Sequence, residues 1–256
     1  MDRKSPIRTK PLRVPGQSLD EEIALWRNER LVDYAFIAAC LLVLAITEWI
    51  GYLTHSPRHP ILYSAIAVIA CVVAVWRAFG IRKTVEKLRL GRDGERTVGQ
   101  FLENLRNGGG QVFHDIPGEG FNIDHVVVST HGIYAIETKT RSKPSPKATI
   151  TVQGDHLLVA GKRPDRNPID QAAASARWLE RLLEESTGKQ FKVRGVVVFP
   201  GWWIEQRSPR SAVWVLEPKA LPAFISQEPE TIVPSDVSLA ASHLSRYIRS
   251  AADSLN

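Results

Sequence analysis

Two carboxylates and an ammonium lie at spacings that could do chemistry: Asp124, Glu137 and Lys139. Glu137 and Lys139 are two residues apart in the run Ile133 to Thr140. The alternation of a β-strand therefore puts them on one face. Asp124 begins a second such run, Ile123 to Ser129, and a turn around Thr130-His131-Gly132 joins the two. With His131-Gly132 as the turn, Asp124 lies opposite Lys139. With Thr130-His131 it lies opposite Glu137, and a three-residue loop without a bulge would set it opposite Thr138, on the wrong face. His-Gly suits a type I′ turn, so an even register is expected. The three groups then cluster within about 5 to 8 Å. Such a cluster suits Mg²⁺ or Mn²⁺, hard ions that also bind phosphate oxygens and acidify a bound water. A neighbouring lysine can orient that water or stabilise a developing oxyanion. The plainer reading is an ion-pair cluster on a solvated face. The apolar neighbours Val126, Val127, Val128, Ile133 and Ile136 argue instead for a central hairpin.

Glu95 is the next candidate. It lies three residues before Val98, on the stripe formed by Val98, Phe101, Leu102 and Leu105, where a carboxylate needs a cation or donors. Taken alone, it reads as a first-turn glutamate favoured by the helix dipole. His114, His125 and His131 have no metal-ligand spacing, and His125 alternates away from Asp124, which suits core or turn roles. Gly118-Glu119-Gly120 opens no helix and is a flexible loop. Trp202-Trp203 could stack on bases, though such a pair more often packs against a terminal helix.

The elements that position these residues read as a mixed α/β domain from Gly91 onward. A helix is expected over about Arg92 to Leu105, ending at Gly108-Gly109-Gly110. Strands follow at 112–115, 123–129 and 133–140, with a pair at 148–152 and 156–159 turned at Gly154-Asp155. A helix runs from the cap Asn167, with Pro168 at its first position, to about Glu185. Strands at 195–199 and 212–216 and helices near 219–226 and 237–252 complete the chain. The expected division is a basic arm and short helix over 1–30, two membrane spans within 31–79, a basic linker over 80–90, the domain over 91–230 and a C-terminal helix over 231–256.

The average composition, 44% apolar and 23% charged, hides a concentration of apolar residues between Val32 and Phe79. The runs 32–53 and 61–79 are each about 20 residues long, enough to cross a bilayer core. Trp49, Tyr52, Tyr63 and Trp76 sit near the run ends, where amphipathic rings favour the interface. The short loop His55 to Pro60 makes them a hairpin, and its single Arg58 contrasts with the basic flanks. Those flanks are Arg3, Lys4, Arg8, Lys10, Arg13, Arg27 and Arg30 before, and Arg77, Arg82, Lys83, Lys87, Arg89 and Arg92 after. The asymmetry puts both termini in the cytoplasm. Glu48, inside the first span, is expected to snorkel outward beside His55 and His59. The first 17 or so residues read as a disordered arm, and Ser18-Leu19-Asp20-Glu21 as a capping box. Cys40 and Cys71 both fall in the apolar runs and read as small apolar residues. The net charge of +6 suits nucleic acid or anionic lipid without choosing between them.

In order, Gly91-Arg-Asp-Gly-Glu95, Asn122-Ile-Asp124-His125, Gly132-Ile-Tyr-Ala-Ile-Glu137-Thr-Lys139 and Asn167-Pro-Ile-Asp-Gln171 resemble the nuclease-related domain, NERD, a relative of the PD-(D/E)xK nucleases. The resemblance runs from Gly91 to about Phe199. It implies a restriction-endonuclease-like fold, a central mixed sheet flanked by helices. It implies that Glu95, Asp124 and Glu137 hold Mg²⁺ or Mn²⁺, that Lys139 assists the attacking water, and that Gln171 completes the site. The superfamily's proline before the aspartate is Ile123 here. The basic segment Arg141 to Lys147 replaces a shorter glycine-containing turn. The function implied is a membrane-anchored, metal-dependent nuclease acting on DNA rather than RNA, with a bacterial inner membrane as the expected setting. The alternatives are a catalytically silent nucleic-acid- or protein-binding module and a membrane sensor that only assembles with partners.

Overall fold

In the computed structural model of the chain, residues 12–54, 59–207 and 212–254 are described. Most of the basic arm, the hairpin loop at His55 to Arg58 and the last two residues lie outside them. The chain divides into two compact units, Ser18–Leu90 and a larger one combining Met1–Gln17 with Gly91–Asn256.

The smaller unit is helical. Helix α1 (Gln17–Leu25) passes through one π turn into α2 (Leu31–Leu53), and α3 begins at Pro60. The start of α1 at Gln17 puts Ser18 inside the helix rather than at its cap. Two ties join α2 to the start of α3. Trp49 Nε1 donates to Ser64 Oγ at 2.7 Å, and the His59 backbone N–H donates to Glu48 Oε2 at 3.4 Å. Glu48 thus serves a helix start rather than standing bare in the span. At the other end Ile23, Ile81 and Val85 pack with Trp26, Leu31, Tyr34 and Leu88. Two helical stretches here, within Gln17–Leu53 and Pro60–Arg106, are long and apolar enough to cross a membrane, and only 11% and 6% of their most apolar windows is buried. These two apolar helices are compatible with the expected anchor.

Helix α3 (Pro60–Glu103) does not stop where charge replaces apolar residues. Three separate segments were expected: a span, a linker and a domain helix. Lys, Glu, Leu and Arg between Ile81 and Leu90 are good helix formers, so the chain stays helical through the change in polarity.

The larger unit holds a five-stranded sheet in the order β1-β2-β3-β6-β8 and a three-stranded sheet in the order β5-β4-β7. Strands β1 (Gln111–Pro117), β2 (Asn122–Ser129) and β3 (Gly132–Thr138) form an antiparallel meander. Strands β6 (Val193–Val198) and β8 (Trp214–Leu216) continue it in parallel, giving the mixed sheet expected. Strands β4 (Thr149–Gln153) and β5 (His156–Val159) pair as foreseen. Nothing in the sequence marked β7 (Trp203–Gln206), which pairs with β4 and is too short to show a period.

Alternation along β2 and β3 sends side chains to two cores. Val126, Val128, Ile133 and Ala135 meet α4 (Pro168–Thr187) and α6 (Pro234–Ser254) through Leu179, Leu183, Ala240 and Leu244. Val127, Tyr134 and Ile136 meet Val98 and Leu102 of α3 and Leu221 and Ile225 of α5 (Leu221–Gln227). Burying each Val, Leu or Ile among them contributes about 1.5–3 kcal/mol. Helix α4 starts as its sequence demands, with Asn167 Oδ1 accepting from the Ile169 N–H and Pro168 in the first turn.

Candidate active site

The site forms at the end of the β2–β3 hairpin. The register pairs Ser129 with Gly132 and His125 with Ile136, so Thr130-His131 is the two-residue turn. Asp124 therefore falls opposite Glu137, not opposite Lys139 as the favoured His-Gly turn required. Contacts remote in sequence decide this. The Thr130 carbonyl accepts from the N–H groups of Thr231 and Ile232 at 2.8 and 3.0 Å, and His131 Nδ1 donates to the Glu228 carbonyl at 2.7 Å. Gly132 at φ 148° supplies a backbone that other residues rarely adopt.

Glu137 is buried, and its Oε1 accepts from Lys139 Nζ at 2.6 Å. Its Oε2 is buried with no hydrogen-bond partner, as are the Thr138 and Thr140 hydroxyls. Asp124 Oδ2 accepts from the Thr138 backbone N–H at 2.6 Å. Asp124 keeps some exposure as a residue, yet its carboxyl is crowded by protein atoms. Desolvation first, then the charges of Glu137 and Glu95, push its pKa well up against the pull of the Thr138 N–H and Lys139. Burial likewise raises Glu137, opposed by Lys139.

Glu95 reaches this group from α3. An added Cβ on the preceding Gly94 would lie 1.6 Å from Thr140 Oγ1, so only glycine allows the helix this close to the strand end. Glu95 is 8% exposed, and its pKa is raised to about 7 by burial, then by Asp115 and Glu137. A backbone hydrogen bond from Gly16 and the Lys139 charge oppose the rise.

Three contributors were missed in the sequence: Asp115, Arg13 and Gly16. Asp115, buried and at a strained φ of 51°, accepts from Arg13 Nε at 2.8 Å and from Asn122 Nδ2 at 3.0 Å. Arg13 and Gly16 belong to the segment read as a disordered arm, and over residues 12–17 that expectation fails. A lone acid in β1 and an arginine among arm residues carried no signal of each other, being 102 positions apart.

Glu95, Asp124, Glu137 and Lys139 thus interact electrostatically in one place. Gln171 is exposed in the first turn of α4, its own N–H bonded to the Asn167 carbonyl. Among the described residues, no three Asp, Glu, His or Cys side chains stand together in a metal-ligating arrangement. One oxygen of Glu137 is instead turned to Lys139, and one of Asp124 to the Thr138 N–H. The donor set still suits a hard cation: three desolvated carboxylates that repel one another, one with a buried oxygen lacking any partner.

On the far face of β2, His125 shares a 2.9 Å contact with His114, which meets Glu103 Oε1 at 3.1 Å. Burial lowers both histidine pKa values, and the pair is part of the core as expected. Trp202 is buried against Phe199, Val213 and Val215 rather than against the terminal helix, and Trp203 is exposed.

No curated protein matches this chain, and no solved structure does. Residues 90–200 match the family model of the nuclease-related domain. That stretch holds both strands of the site, the Glu95 turn of α3 and Gln171, and through it the chain carries the nuclease-related domain, NERD.

Proposed function

We propose that the chain is a membrane-anchored, divalent-metal-dependent nuclease that hydrolyses DNA phosphodiester bonds. The supporting observation is the electrostatic coupling of three desolvated, mutually repelling carboxylates with one lysine inside a nuclease-related domain. Glu95, Asp124 and Glu137 would hold Mg²⁺ or Mn²⁺. When bound, that ion supplies Lewis acidity toward a phosphoryl oxygen and an acidified water. Lys139 Nζ lies 2.6 Å from Glu137 Oε1, where it can orient a water and meet charge developing on phosphate. Gln171, exposed in the first turn of α4, would complete the site. The open apolar surfaces of α2 and early α3 support the anchor, and the charge asymmetry supports cytoplasmic termini. On the resemblance, the setting is a bacterial inner membrane.

One observation favours a second reading, a silent module that binds nucleic acid or protein. One oxygen each of Asp124 and Glu137 is tied to Thr138 and Lys139, and among the described residues no three ligating side chains gather around a cation site. The assay that separates the two uses the full chain in detergent with linear duplex DNA, single-stranded DNA and RNA, with Mg²⁺ or Mn²⁺ and with EDTA. The nuclease reading expects metal-dependent cleavage, reduced about 10²–10³-fold in Lys139→Ala with binding retained. Binding without cleavage by the parent would favour the module. Equal cleavage by both proteins would place the chemistry elsewhere.

A further inference from the structure

The larger unit contains a cleft of about 1150 Å³, lined by aromatic side chains and cations. Trp203 is 72% exposed and Phe224 41% exposed, although large apolar rings normally leave water. Both belong to this one cleft. Behind Phe224 the rings continue inward. Trp214 lies 5.5 Å from Phe224 edge-on, and 5.4 Å from Tyr134 in a stacked pair. Cations sit over the rings: Arg194 is 4.7 Å above Trp214, and Lys143 is 5.4 Å above Trp202. Lys219 adds a third positive charge. Among the described lining residues the one carboxylate, Glu217, faces its own helix start, accepting from the Lys219 N–H at 2.9 Å, and Arg194 is also paired with Glu228 at 3.5 Å.

At Trp202 and Lys143 the cleft adjoins the strand ends that carry the site. The Lys139 backbone N–H donates to the Val198 carbonyl at 2.9 Å, joining the ends of β3 and β6. Two residues beyond Lys139, the Arg141 carbonyl accepts from Trp202 Nε1 at 3.1 Å. The basic segment after the site is thereby fixed to the cleft floor.

We infer that this aromatic, cationic cleft is a binding groove for single-stranded nucleic acid, stacking unpaired bases on Trp203 and Phe224 while Lys143, Arg194 and Lys219 meet the phosphates. This rests on the nuclease-related reading of the domain, and it specifies the form of the polymer that reaches the carboxylates. An intact duplex hides its base faces in its own stack, so exposed rings discriminate in favour of separated strands. The excess of positive charge selects a polyanion over a neutral peptide or a second copy of this chain.

The test uses the full chain in detergent with EDTA, which keeps binding separate from cleavage. Fluorescence anisotropy compares a labelled oligothymidylate with a blunt duplex for the parent, Trp203→Ala and Phe224→Ala. Both variants remove exposed rings, and circular dichroism checks that they fold. The parent should bind the single strand about tenfold more tightly than the duplex. Each variant should lose about tenfold on the single strand only, the effect of one stacked base. Equal affinity for both forms, or variants indistinguishable from the parent, overturns the groove. So does a Trp203→Ala change that shifts only the oligomeric state, which would make the cleft an interface between copies. Selective binding without any metal-dependent cleavage would keep the groove and sink the hydrolase; cleavage untouched by both variants would do the reverse.

Discussion

At the scale of single residues, the site is defined by carboxylates held in conditions they resist. Glu95 shows this most clearly, because burial and the neighbouring Asp115 and Glu137 raise its pKa from 4.5 to about 7. An acid whose folded pKa is raised holds its proton more tightly when folded. The cost of ionising it therefore appears as pH rises from about 4.5 through about 7. In metal-free buffer, Glu95→Gln should match the parent in stability near pH 4.5. It should become more stable than the parent by about 3 kcal/mol near pH 8, read by urea denaturation of both proteins. A difference that stays constant with pH would show that Glu95 is not strained. Asp124, Glu137 and Lys139 were legible in the sequence because strand alternation fixes faces without tertiary knowledge. Which turn joined their strands was not legible. It depends on Thr231, Ile232 and Glu228, residues about a hundred positions away whose hydrogen bonds select Thr130-His131.

Among the elements, the leading segment has the largest unanticipated consequence. Residues 12–17 bring Arg13 to Asp115 and the Gly16 N–H to Glu95, so a piece read as an arm supports the site from outside. Removing one partner of a buried ion pair leaves the other charge uncompensated. Arg13→Ala should therefore destabilise the larger unit by about 3–5 kcal/mol in urea denaturation of the full chain. A loss below about 0.5 kcal/mol, the scale of ordinary surface changes, would mean the pairing is incidental. A fragment beginning at Gly91 lacks both contacts, so its inactivity would say nothing against the chemistry. Strands β1 to β6 and helix α4 were readable from alternation, apolar runs and the Asn167-Pro168 start. Strand β7 was not, because its four residues become a strand only by pairing with β4. The length of α3 was also missed: a change from apolar to charged residues marks an environment, and helix propensity runs through it.

For the whole molecule, the proposal joins an anchor to a hydrolytic domain. The anchor predicts opposite fates for two engineered cysteines, Ser56→Cys in the hairpin loop and Ser142→Cys after Lys139, in a chain whose Cys40 and Cys71 are replaced. A membrane-impermeant maleimide added to intact cells should label position 56 and leave 142 unlabelled. Labelling of both from outside, or of 142 alone, would contradict the orientation drawn from the basic flanks. The charge pattern, legible in full, carries that expectation. The groove beside the site was barely legible, since Trp203, Trp214 and Phe224 come from three segments that only the fold assembles. The central claim, that Glu95, Asp124 and Glu137 together take up a hard cation, is tested most directly by Mn²⁺ binding to the full chain, followed by electron paramagnetic resonance. The account predicts saturable binding at pH 8 that weakens at least about tenfold in Asp124→Asn, because a carboxylate ligand is lost. No saturable binding by the parent, or identical binding by Asp124→Asn, would contradict it.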